Sequence, residues 1–188
     1  MEPVRGVRVG RWRHAACGLA ILGAVLFLLA PAPVRGEPLE YQVKAVFLLN
    51  FTKFVEWPAG AFAGADSPIE ICVLGEDKFG ASLDQAVAGE AVNGRRVTVR
   101  RIMEAPAARG CQVLFLGAPE KERARILAGL ETGILTVGEG ESFTHEGGMI
   151  AFFIEKRHVR FAINQTAAEK AGLKLSARLL NVASSVER

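Results

Sequence analysis

Three short apolar runs, at residues 69–74, 111–116 and 134–137, constrain this chain more than any other feature. Each is too short for an ordinary helix and is bounded by Gly or Pro, which is the pattern of a strand. The run at 111–116 is almost continuously apolar, as in a strand covered on both faces. Between the runs lie segments of helical spacing. Residues 79–88 are closed by Gly89, and residues 119–130 open on Pro119, present Glu120, Glu122, Arg123 and Arg125 to water and stop before Gly133. Strand and helix in alternation predict one α/β domain, three-layer-like, with a mixed, mostly parallel central sheet flanked by helices. Residues 96–102 alternate, with Val97, Val99 and Arg101 on one face and Arg96, Thr98, Arg100 and Ile102 on the other. That predicts a half-exposed or edge strand.

The two ends of the domain read differently. Residues 39–57 predict a helix, because Val43, Val46, Phe47, Phe51, Phe54 and Val55 recur at intervals of three and four, until Pro58 ends it. Lys44, Lys53 and Glu56 interrupt it too often for a membrane span. Near the other end, residues 149–154 and 159–163 flank 155–158 as the arms of an antiparallel hairpin. Residues 165–186 predict a final helix or helix pair, with Leu175, Leu179, Val182 and Val186 on one stripe and Gly172 as a break.

Residues 1–36 read as a cleaved secretory signal and 37–188 as the folded domain. Arg5, Arg8, Arg11 and Arg13 form a basic head. The uncharged stretch at 15–30 is shorter than the roughly 20 residues a membrane helix needs. Val34 and Gly36 suit the −3 and −1 positions of a cleavage site, which makes Glu37 the mature N-terminus. Cys17 stands at the head of the apolar run, where a lipidated cysteine is not found. The whole chain has 23 basic and 20 acidic residues; removing a leader with five Arg and one Glu leaves 18 against 19. The basic balance belongs to the leader, so there is no electrostatic argument for nucleic acid. Cys72 and Cys111 remain, and an oxidising compartment favours joining them if their geometry permits; two buried free thiols are the other reading.

Motifs that carry chemistry are few. Gly75, Glu76, Asp77 and Gly80 follow a strand without phosphate-loop spacing and read as a turn with an acidic helix entrance. Glu139 and Glu141 could divide acid and base roles only if their environments separated their pKa values. Both fall in a polar, Gly-rich stretch that reads as solvated. His145 and His158 have no metal-ligand spacing, and no serine stands in a nucleophile elbow. The reading is a binding or regulatory module with no catalytic residue, no metal and no cofactor. Trp57, with Asn50 and Lys53 on the preceding turns, offers an apolar and π surface beside a cation, a common recognition pair. Arg178 joins that surface only if the first and last helices pack together.

The blocks YQVKAVFLLNFTKFVEWP at 41–58, ICVLGEDKFG at 71–80, CQVLFLG at 111–117, ILTVGEGESFTHEGGMIAFF at 134–153 and VRFAINQTAAEKAGLKLSARLLNVA at 159–183 resemble, in this order, the YfiR family of periplasmic proteins. The resemblance implies a repressor that binds the sensor portion of an inner-membrane diguanylate cyclase, holding down cyclic di-GMP synthesis and biofilm growth. It also implies a disulfide between Cys72 and Cys111. The second cysteine pair some members carry near residues 147–153 has no counterpart here. Lys53, Trp57 and Arg178 stand where the resemblance puts a partner or ligand surface. Two readings follow: a non-enzymatic inhibitor of such a cyclase, or a periplasmic small-ligand receptor feeding a histidine kinase or an uptake system. A hydrolase using Glu139 and Glu141 is a third. Self-association as a homodimer is left open.

Overall fold

The computed structural model describes residues 39–188; the predicted signal segment and its cleavage site lie outside the described residues. The described residues begin with helix α1 (Leu39–Thr52), five residues shorter than its apolar spacing predicts. Thr52 donates its hydroxyl to the Leu49 carbonyl, and the amides of Lys53 and Phe54 turn back to Asn50 and Phe51, which tightens the last turn and stops the helix. Val55 and Glu56 then form a two-residue strand, β1 (Val55–Glu56), that pairs antiparallel with β9 (Lys174–Leu175), so Trp57 follows a strand and not a helix.

The main sheet has eight strands: β2 (Ile69–Gly75), β3 (Ala91–Val92), β4 (Arg95–Ile102), β5 (Val113–Gly117), β6 (Leu135–Glu139), β7 (Ile150–Glu155), β8 (His158–Asn164) and β10 (Ser185–Glu187). Their order is β10-β8-β7-β6-β5-β2-β4-β3. Pairing is parallel except at β7/β8 and β3/β4, so the sheet is mixed and mostly parallel as its apolar runs predict. The turn of the β7/β8 hairpin is made by Lys156 and Arg157, both at positive φ (47° and 67°), the conformation a tight two-residue hairpin demands. The alternating segment is β4, one strand in from an edge that only the short β3 covers.

Helices lie on both faces. α1 and α2 (Ala81–Val87) cover one face, where Leu48, Phe51, Leu83, Val73, Phe115, Val137 and Phe152 form the larger core. The rings of Phe47 and Phe51 meet those of Phe152 and Phe161 at centroid distances of 5.2–5.9 Å and pin α1 to β7 and β8. The other face is covered by α3 (Glu120–Ala128) and the short α4 (Ser142–His145), over Cys72, Leu114, Leu116 and Phe143.

The C-terminal segment departs most from its periodicity. α5 (Gln165–Lys170) ends before Gly172, which sits at φ 78°; then come β9, α6 (Ala177–Val182) and β10. Ser176 starts α6 by accepting the Leu179 amide. The predicted stripe therefore breaks up: Leu175 is in β9, Leu179 is buried, Val182 is 65% exposed and Val186 pairs with β8. Unsatisfied sheet edge at β8 competes with helix for this segment, and the edge wins.

Candidate functional site

The sequence-predicted surface lies at the amino ends of the parallel strands. The β1–β9 ladder sets Val55 opposite Leu175, and the Ser176 amide donates to the Phe54 carbonyl at 2.9 Å. The segment carrying Lys53 and Trp57 is thus laid beside the segment leading to Arg178, through strand pairing and not helix packing. Lys53 and Arg178 are exposed; Lys53 pairs loosely with Glu90 at 3.3 Å. Trp57 is half-buried: its Nε1–H donates to the Gln112 carbonyl at 3.2 Å and its ring meets the Phe62 edge. Gln112 is itself fixed, donating to the Ala61 carbonyl and accepting the Glu70 amide, and it follows Cys111 directly. The indole is fixed by Gln112 and Phe62, while Lys53 and Arg178 reach solvent from neighbouring segments.

Cys72 in β2 and Cys111 just before β5 are joined, with Cα atoms 5.9 Å apart. Glu70 lies within reach of both sulfurs. Those sulfurs are bonded to each other, and Glu70 is held by Arg100 at 2.7 Å, so this trio is committed to structure.

A second polar group sits at the carboxyl end of β6, and sequence reasoning missed it. Glu139 reads as solvated from its Gly-rich context, but the structure half-buries it against α1. The Tyr41 hydroxyl donates to it at 2.9 Å, buried Lys44 bridges it to Glu40, and Lys78 approaches to 3.5 Å. Burial pushes the Glu139 carboxyl up, but the hydrogen bond and charge of Lys44, the Tyr41 hydroxyl and Lys78 together hold it below its ordinary value. Burial, and then the bond to Glu139, raises the Tyr41 phenol. Glu141 is exposed. Division of acid and base roles needs one carboxyl raised, and Glu139, held low, is not that one. The only sequence signal for the cluster is the Glu40–Lys44 spacing of four.

The strand order reverses between β2 and β5, where open α/β sheets take ligands. Gly75 and Gly117 are paired there, and a Cβ on Gly117 would fall 2.3 Å from the Glu76 carbonyl. Beyond them a crevice of about 480 Å³ is lined by Leu74, Met103, Glu104, Glu122, Arg125 and Ile126. The following turn is closed on itself: Asp77 accepts the amides of Phe79 and Gly80, and Arg101 clamps Asp77 and Asp84. It is a turn capped by its own Asp77 carboxylate.

Residues 41–184 match the model of the YfiR/HmsC-like family. The chain belongs to the YfiR/HmsC-like family. No curated protein matches it. Among solved structures, a conserved domain protein of Vibrio cholerae O1 biovar El Tor is 13% identical with a TM-score of 0.46, covering 63% of this chain and 54% of its own. An ABC domain in complex with L-Trp from Streptococcus pneumoniae is 10% identical with a TM-score of 0.49, covering 76% of this chain and 60% of its own. This YfiR/HmsC-like chain therefore spans less than two thirds of either neighbour.

Proposed function

We propose that this protein is a periplasmic, non-enzymatic regulator that binds the sensor portion of an inner-membrane diguanylate cyclase and biases it toward its inactive state. The family match across residues 41–184 carries this reading. The Cys72–Cys111 bridge supports it, since such bonds persist in oxidising compartments. The docking surface in this reading is Trp57 with Lys53 and Arg178. The energy required is small: a binding preference of about 3 kcal/mol for one of two partner states changes their ratio more than a hundredfold. Deleting the gene should raise cyclic di-GMP only in cells that hold the partner cyclase. Lys53→Glu with Arg178→Glu should mimic the deletion while the exported protein, starting at Glu37, accumulates normally. An unchanged nucleotide level in both strains would defeat the proposal.

The crevice at the strand-order reversal favours a second reading, a periplasmic receptor for a small ligand that feeds a histidine kinase or an uptake system. A thermal shift with one member of a metabolite panel, lost when Gly117 is replaced by a larger residue in a protein that still folds, would support it.

A further inference from the structure

The connection from β4 to β5 and the helix α3 wall a groove on one face of the sheet. Because β2 lies between β4 and β5, that connection has to cross it, and it does so through Met103, Glu104, a turn of 3-10 helix (Ala105–Ala108) and Arg109. The crevice of about 480 Å³ at the strand-order reversal adjoins a second hollow of about 460 Å³, since Ala105, Pro106, Arg125 and Ile126 line both. Apolar side chains line the two: Leu74 and Ile126 in the first, Ala108, Leu130 and Ile134 in the second.

Charge changes sign along this groove. Glu76, Glu104 and Glu122 line the first hollow, Arg125 stands at the junction, and Arg109 and Glu131 line the second. Three carboxylates, less the Lys78 ammonium 3.8 Å from Glu76, leave the first hollow negative. The amino end of α3 adds about half a positive charge, too little to reverse that sign. Among the described residues no salt bridge engages Glu104, Glu122 or Arg125, and the Arg109–Glu131 pair is 80% and 57% exposed, so it yields readily to a competing anion. Length selects the occupant further. From Glu104 to Arg109 the wall advances five positions, about 10 Å at the rise of a 3-10 helix. An extended peptide advances about 3.3 Å per residue, so about three residues reach from the acidic hollow to the arginines. A single amino acid, with ammonium and carboxylate on one carbon, is too short.

We propose, resting on the receptor reading of the crevice and naming its ligand, that this groove binds a free peptide of about three residues with apolar side chains. Its ammonium lies among Glu76, Glu104 and Glu122, and its carboxylate lies between Arg125 and Arg109. Both charged ends are read at once, which separates a free peptide from a segment inside a longer chain. The apolar side chains of the peptide cover Ile126 and Leu130, which the protein leaves half-buried.

Calorimetric titration of trileucine into the processed, disulfide-intact protein should reveal one site. N-acetyl-trileucine and trileucine amide should each bind about tenfold more weakly, the loss of one charge-assisted contact, and free leucine should give no heat. Arg125→Glu should erase the difference between trileucine and its amide. Glu104→Lys with Glu122→Lys should erase the difference between trileucine and its acetylated form. Melting curves should be unchanged in both variants, because these side chains are exposed. No heat with trileucine, equal affinity for capped and uncapped peptides, or variants that discriminate as the parent does would each overturn the proposal. A metabolite whose thermal shift is lost on replacing Gly117, in a protein that ignores trileucine, would overturn the peptide and leave the receptor reading standing; a protein that binds neither would end both.

Discussion

Lys44 is the residue whose chemistry and position conflict most sharply. Its side chain is 3% exposed, and an ammonium is tolerated there only because Glu40 and Glu139 both meet it. Breaking a fully buried pair costs about 3–5 kcal/mol. Glu139 keeps Tyr41, Lys78 and some water, so Lys44→Met should cost less, about 2–3 kcal/mol by urea unfolding. The sign of the pH effect follows from the lowered Glu139 carboxyl. Its contribution is complete above the ordinary carboxylate range and is lost as the pH falls through the folded value. Glu139→Gln should therefore flatten the acid limb of the stability curve; an acid limb of the parent's steepness would show that the cluster does not stabilise the fold.

At the scale of elements, α4 and its neighbours are organised by one ring. Phe143 is fully buried between two glycines: a Cβ on Gly148 would lie 2.2 Å from the ring and one on Gly138 2.6 Å from it. Overpacking of this kind costs about 1–3 kcal/mol. Gly148→Ala should lower stability by about 2 kcal/mol in a denaturant titration, and adding Phe143→Leu should recover part of the loss. The ring's role has no periodic signature, because its partners are gaps and not side chains. Other elements were legible. β2, β5, β6 and the β7/β8 hairpin appear in the apolar runs within a residue or two at each end. α1 and the final segment were misjudged because two-residue ladders, β1 with β9 and β10 on β8, redirect residues whose local spacing is helical.

At the scale of the molecule, the disulfide closes a loop of 39 residues between adjacent strands at the point where the sheet's order reverses. The loop-entropy model values it at about 4 kcal/mol. Replacing both Cys72 and Cys111 by Ser should lower unfolding stability by about that amount, and alkylation of the untreated protein should find neither thiol free. Quantitative labelling of both without reductant would contradict the bridge. Because Gln112 connects Cys111 to the Trp57 indole, the double variant should also alter Trp fluorescence before global unfolding.

What the sequence determined by itself is what depends on neighbours along the chain. The apolar runs bounded by Gly and Pro specify strands, their separation by helical segments specifies a mostly parallel sheet, and the ordered blocks specify the family. What only the tertiary structure decided is what depends on residues far apart. Glu139 meets Tyr41 across 98 positions and Trp57 meets Gln112 across 55, and no spacing rule spans such distances. Burial turned Lys44 from a helix-surface cation into a structural one, and strand pairing placed Lys53 and Arg178 along neighbouring segments. The physical reason is that hydrogen bonding and desolvation are settled when the chain closes on itself, after local preference has chosen the elements.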